Sequence, residues 1–96
     1  MALDTRDHAR GMARLLREQR FAVLATQESN APYVSLVAFA ASPDLRLVYF
    51  ATLGATRKGR ALDSSPCVAM LVDDRRNDLC DLEHATALTL TGVATR

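Results

Sequence analysis

The 96 residues allow one small domain, spanning 1–96, with 49% apolar and 24% charged residues and a formal charge of +1. That balance is ordinary for a soluble globular domain. It excludes a global electrostatic case for nucleic acid, and three Phe, two Tyr and no Trp leave few platforms for stacking bases.

No apolar run approaches the ~18 residues of a membrane helix, so no membrane partner is expected. Met1 to Asp7 lacks the apolar centre of a signal peptide, which makes the cytoplasm the expected location. Cys67 and Cys80 stand in no C-x-x-C or Cys/His spacing, so no metal site is expected. Cys67 lies in an apolar run and reads as a small core residue.

From about Asp4 to Gln19 the chain reads as an amphipathic helix. Ala9, Met12, Ala13 and Leu16 recur at helical spacing, Leu15 widens the stripe, and Asp4 or Thr5 can cap the start. Phe21 to Thr26 is a continuous apolar run of strand length, expected to be covered on both faces. A polar turn over 27–32 leads to a partner strand, Tyr33 to Ala41, in which Ser35 is the single polar side chain among Val34, Leu36, Val37 and Phe39. A serine there is expected to be satisfied by neighbouring backbone, with ligand contact as the alternative.

Ser42-Pro43-Asp44 makes a turn, and Leu45 to Thr52 reads as a third strand. A short helix is expected to run to about Leu62, followed by a fourth strand, Cys67 to Val72. Asp73 to Leu82 reads as an exposed, irregular connection. Ala87 to Thr95 alternates Leu with Thr as a fifth strand, with Gly92 suggesting a bulge or a close backbone approach. His8 reads as solvent-exposed, and His84 has no acid or nucleophile at motif spacing. Five strands with a leading and an inserted helix suggest a small antiparallel barrel.

The densest chemistry lies at Tyr49 to Arg60. A glycine-containing loop delivers Thr56, Arg57 and Lys58 into what reads as the first turn of a helix. Thr56 can cap that turn. Cations at a helix N-terminus oppose the dipole unless an anion sits between them, and a phosphate is the usual answer. A solvated basic turn is the alternative. Neither the Walker nor the dinucleotide glycine spacing is present.

Phe50-Ala51-Thr52 followed by Thr56-Arg57-Lys58 resembles the F-x-T-x-x-x-S-R-K segment of the FMN-binding split-barrel family typified by pyridoxamine 5′-phosphate oxidase, with Thr56 in place of serine. The resemblance runs from about Phe21 to Arg96. It implies a mostly β fold with flanking helices, an antiparallel, Greek-key-like split barrel that stops after the fifth strand. It also implies FMN as cofactor. Arg57 and Lys58 would hold the phosphate, Thr52 would lie along the flavin, and Ala51 and Thr56 would complete that segment of the site. The backbone of Ser35, Leu36, Val37 and Ala38 would face the isoalloxazine ring.

The departures are specific. Ser35 stands where the oxidase has a phosphate-binding arginine, Ala40 where it has a lysine on the substrate phosphate, and Ala87 where it has a glutamine on the flavin. The strand pattern, with its Val37-Ala38-Phe39-Ala40 ending, is similar to haem-utilisation-like and flavin-reductase-like members. The resemblance therefore implies a homodimeric FMN protein with flavin at the interface, a flavin-dependent oxidoreductase of unknown substrate, rather than the vitamin reaction. A non-catalytic flavin or haem storage module is the alternative. No residue emerges as a catalytic acid or base.

Overall fold

The computed structural model describes residues 5–51 and 62–95, with side chains from residue 8 onward. Helix α1, Thr5–Glu18, precedes strands β1 (Phe21–Glu28), β2 (Ala31–Ala41), β3 (Val48–Phe50) and β4 (Cys67–Asp73). A four-residue helix, α2 (Asp81–His84), leads into β5 (Ala87–Val93). Every pairing is antiparallel and the strand order is β3-β2-β1-β4-β5. The sheet curls into a half-barrel.

The hairpin between β1 and β2 is tighter than the polar composition of 27–32 implied. Glu28 pairs with Ala31, so the loop is only Ser29 and Asn30, with φ of 51° and 65°. Two consecutive left-handed residues make the turn whose twist matches paired strands, and Asn tolerates that region better than most residues.

The third strand is shorter than expected because residues 42–47 are consumed by a closed loop. The Ser42 N–H donates to the Leu47 carbonyl at 2.8 Å, and the Leu45 N–H donates to the Ser42 carbonyl at 2.9 Å. The Ser42 hydroxyl donates to Asp44 Oδ1 at 2.6 Å and accepts the Leu47 N–H at 3.0 Å. Leu45 sits at φ 61°, a conformation that costs a branched residue about 1–2 kcal/mol. Packing of its side chain against the core opposes that cost.

Alternation along the strands separates two faces. The inward face carries Ala22, Leu24, Val37, Phe39, Met70 and Val72, with Leu24 and Val72 fully buried. Helix α1 covers this face through Leu15 and Leu16 in its last turns. Ala9 and Met12, read as part of the same stripe, are exposed. The helix docks by one end.

The outward face is apolar too, which is why β1 read as buried on both sides. Phe21 is exposed, and Val23 and Ala25 are only half-buried. Cys67 shares this face, because Met70 and Val72 take the inward parity of β4. It is exposed and not a core residue.

Gly92 makes neither a bulge nor a close approach. The ladder runs unbroken from Cys67↔Val93 to Asp73↔Ala87, and a Cβ at Gly92 would meet nothing within 4 Å. The segment after β4 is more ordered than its charge pattern suggested. Asp81 Oδ2 accepts the N–H groups of Arg76 and Asn77 at 3.0 and 2.7 Å. Asp74 accepts the Thr86 N–H at 2.7 Å and its hydroxyl at 2.9 Å.

Candidate functional site

Strand β2 distributes the expected flavin-binding residues between the two faces. Val37 is buried in the core, leaving only its backbone available to a ligand. Leu36, 66% exposed, and Ala38 point to the outward face. Ser35 points inward with Val37 and Phe39, and its register partner is Leu24.

The Ser35 hydroxyl is not satisfied by neighbouring backbone. Its oxygen is buried and has no hydrogen-bond partner. A buried hydroxyl left unpaired costs roughly 1–3 kcal/mol, so such atoms are rare, and one in a strand invites a ligand explanation. Thr26, the other buried polar residue of the hairpin, is paired. Its hydroxyl donates to the Tyr33 carbonyl at 3.4 Å.

Ala51 is exposed and directly follows Phe50, whose register partner is Phe39. The chain therefore leaves β3 beside the Ala38 end of β2. Thr52, Thr56, Arg57 and Lys58 lie outside the described residues. Ala40 pairs with Tyr49 and Ala87 with Asp73, so both alanines occupy regular ladder positions.

Among the described residues, one concavity adjoins Ala51 and another lies apart from β2. A groove of about 960 Å³ opens on the inward side between the β3 and β5 edges, lined by Val48, Phe50, Ala51, Val68, Met70 and Leu90 among others. A second, of about 710 Å³, separates α1 from the 74–86 connection and is lined by Arg14, Asp74, Arg76, Asp81 and His84 among others. Among the described residues no cluster of His, Cys, Asp and Glu could hold a metal. No helix among them is long and apolar enough to cross a membrane.

The perturbed carboxylates are structural. Asp74 is held below the usual carboxylate range, first by the Thr86 N–H and then by the Thr86 hydroxyl. Asp81 is lowered chiefly by the Arg76 N–H, and Asp44 by the Ser42 hydroxyl. Each stabilises a turn, and none belongs to β2.

One feature of the face went unread in the sequence: its aromatic residues. Phe21 of β1 is paired with Ala38, and Tyr49 of β3 with Ala40. Alternation could have revealed them, but only after the inward parity of each strand was known.

Comparison with known proteins places the chain. No curated protein matches it. A protein of unknown function, Atu2129 from Agrobacterium tumefaciens, has 25% identity and a TM-score of 0.75, covering 96% of this chain and 39% of its own. The haem storage protein HutZ from Vibrio cholerae has 21% identity and a TM-score of 0.75, covering 90% of this chain and 60% of its own. The conserved hypothetical protein Rv2991 from Mycobacterium tuberculosis has 17% identity and a TM-score of 0.73, covering 97% and 52%. The chain thus spans between 39% and 60% of the length of these three proteins, and HutZ and Rv2991, both below 25% identity, support the fold alone. The profile described as pyridoxamine 5′-phosphate oxidase matches residues 10–96. By that match over nearly its whole length, and in keeping with its half-barrel, the chain belongs to the pyridoxamine 5′-phosphate oxidase family.

Proposed function

We propose that this domain binds FMN and serves a flavin-dependent oxidoreductase. The observation that carries the reading is the family match over residues 10–96; the buried, unpaired Ser35 hydroxyl lies on the strand that the resemblance assigns to the flavin, on its inward side. A bound group offering an acceptor would relieve that atom's cost. Arg57 and Lys58 would hold the phosphate by charge-assisted hydrogen bonds. Thr52 would lie along the flavin, Thr56 would cap the turn, and Ala51 would form the approach to it. Leu36 and Ala38 would present backbone to the ring. Bound FMN supplies the hydride or electron transfer, and the protein positions and tunes it.

A homodimer with FMN at its interface fits the outward face. Val34 and Leu36 are 64% and 66% exposed, and the row Val34–Ala25–Ala69 contains no charge. An uncharged apolar face is complementary to a second copy of itself. Ala40 and Ser35, in place of cations, argue against oxidation of a phosphorylated vitamin.

The second reading, a flavin or haem storage module, is favoured by the likeness to HutZ, which is described as a haem storage protein. The visible spectrum after incubation with each cofactor separates the two. Flavin bands without a Soret band support the first reading, and a saturable Soret shift supports the second. Reduction of the bound flavin by NAD(P)H would then distinguish a redox protein from a store.

A further inference from the structure

The groove of about 710 Å³ between α1 and the 74–86 connection has no part in the flavin reading. It takes no residue from β2 or β3, and none that adjoins 52–61 in sequence. Both walls are fixed. Leu15 and Leu16 anchor α1 to the core, and the bonds made by Asp74 and Asp81 hold the connection.

Gly11 lines the α1 wall. A glycine inside a helix is unfavourable relative to alanine, and the fold supplies no reason for this one. Its φ is not positive, and a Cβ there would meet nothing within 4 Å. The missing side chain leaves bare backbone along the groove.

Arg76, on the opposite wall, is also unaccounted for by the fold. Four aspartates lie within five residues of it, yet each is engaged elsewhere. Asp73 pairs with Arg75, Asp74 accepts from Thr86, Asp78 accepts the Cys80 N–H, and Asp81 accepts the backbone N–H of Arg76. Among the described residues the Arg76 guanidinium has no partner. Arg14, on the α1 wall, spends only its Nε, on Glu18. Two guanidinium groups with unused donors therefore line one groove, a donor set suited to a carboxylate.

A simple anion is nonetheless a poor fit. Glu18, Asp74, Asp78 and Asp81 also line the groove, four carboxylates against two arginines. Glu18 Oε1 and Asp78 Oδ2 have no partner. Each wall thus presents one cation beside one open acceptor. A molecule with a single charge would be repelled by half of that set, whereas a zwitterion can satisfy both halves. Leu15 and Ala85 add apolar surface between them.

We propose that this groove binds a free α-amino acid with an apolar side chain, its carboxylate on Arg76 and Arg14 and its ammonium on Glu18 and Asp78. The site stands independently of the flavin reading. The test is a titration of the whole chain, followed by its backbone amide NMR signals, with leucine, isocaproate and isopentylamine. Isocaproate is leucine without its ammonium, and isopentylamine is leucine without its carboxylate. Leucine is expected to bind at least about tenfold more tightly than either, with shifts confined to residues 11–19 and 74–86. Arg76→Met keeps the backbone bond to Asp81 and should weaken leucine about tenfold while leaving isopentylamine unchanged. Gly11→Leu should weaken leucine and raise Tm. Neither variant should change FMN affinity.

Leucine bound no more tightly than one of its two analogues would overturn the site. So would leucine binding untouched by both substitutions, or no amide shift at about 10 mM leucine. A loss of FMN affinity in a folded Arg76→Met variant would join the groove to the cofactor and overturn it as a separate site.

Discussion

Replacing Ser35 with alanine should move stability and ligand affinity in opposite directions. The Ser35 hydroxyl oxygen is buried without a partner in the ligand-free chain. Its desolvation is therefore uncompensated, at a cost of roughly 1–3 kcal/mol, while alanine fills nearly the same space. Ser35→Ala should raise the stability of the ligand-free domain by about 1 kcal/mol or more. For a domain near this size, each kcal/mol corresponds to about 4–8 °C in Tm. If the same hydroxyl donates to bound FMN, the variant loses that hydrogen bond. A bond to a charged group is worth roughly 1.5–3 kcal/mol, so FMN should bind about 10- to 100-fold more weakly. Differential scanning calorimetry without FMN and fluorescence titration with it read the two halves separately. A destabilised ligand-free variant would mean that the hydroxyl is satisfied after all. A stabilised variant with unchanged FMN affinity would remove Ser35 from the cofactor site.

Arg57→Ala and Lys58→Ala should each weaken FMN about 10- to 100-fold by fluorescence titration, as expected for loss of one charge-assisted bond. Added FMN should tighten self-association, by roughly 2.7 kcal/mol per site at a free concentration 100 times the Kd, read by sedimentation at low protein concentration. Pyridoxamine 5′-phosphate should not be oxidised at enzyme-like rates, because Ala40 offers its phosphate no cation; a steady-state peroxide assay checks this. The 74–86 connection should loosen in acid. Asp74 and Asp81 have folded-state pKa values lowered by N–H donors, so their stabilisation is present above the ordinary carboxylate value of about 3.9 and is lost as pH falls through the lower folded values. Amide exchange at Arg76, Asn77 and Thr86 should rise below about pH 4 before exchange in β1 does.

The succession of strands along the chain, and the meander of the first three, were largely legible because turns with their own chemistry separate them, whereas the pairing of β4 with β1 was not. Ser42-Pro43-Asp44 and the Leu-Thr alternation of β5 mark elements that the fold contains. The faces were less legible. β1 and β2 are apolar on both sides, so period two carried no contrast, and neither the exposure of Cys67 nor that of Phe21 could be read. The third strand was overextended because Leu45 looks like a strand residue, yet it closes a loop in a left-handed conformation that propensity does not anticipate. The order within 74–86 comes from Asp74 and Asp81 capturing N–H groups up to twelve residues away; in sequence those aspartates look like solvated charge. At the candidate site, the Thr56-Arg57-Lys58 pattern was visible as chemistry. The orphaned Ser35 hydroxyl was not, because its lack of a partner is a property of the packed sheet.

Titration of the purified chain with FMN, followed by flavin fluorescence and sedimentation on the same samples, tests whether this domain is a dimeric FMN protein. Saturable binding of one FMN per protomer is expected, with the complex sedimenting as a dimer at concentrations where the ligand-free chain dissociates. Fluorescence that remains that of free flavin throughout the titration, at protein concentrations well above the micromolar range, would contradict it.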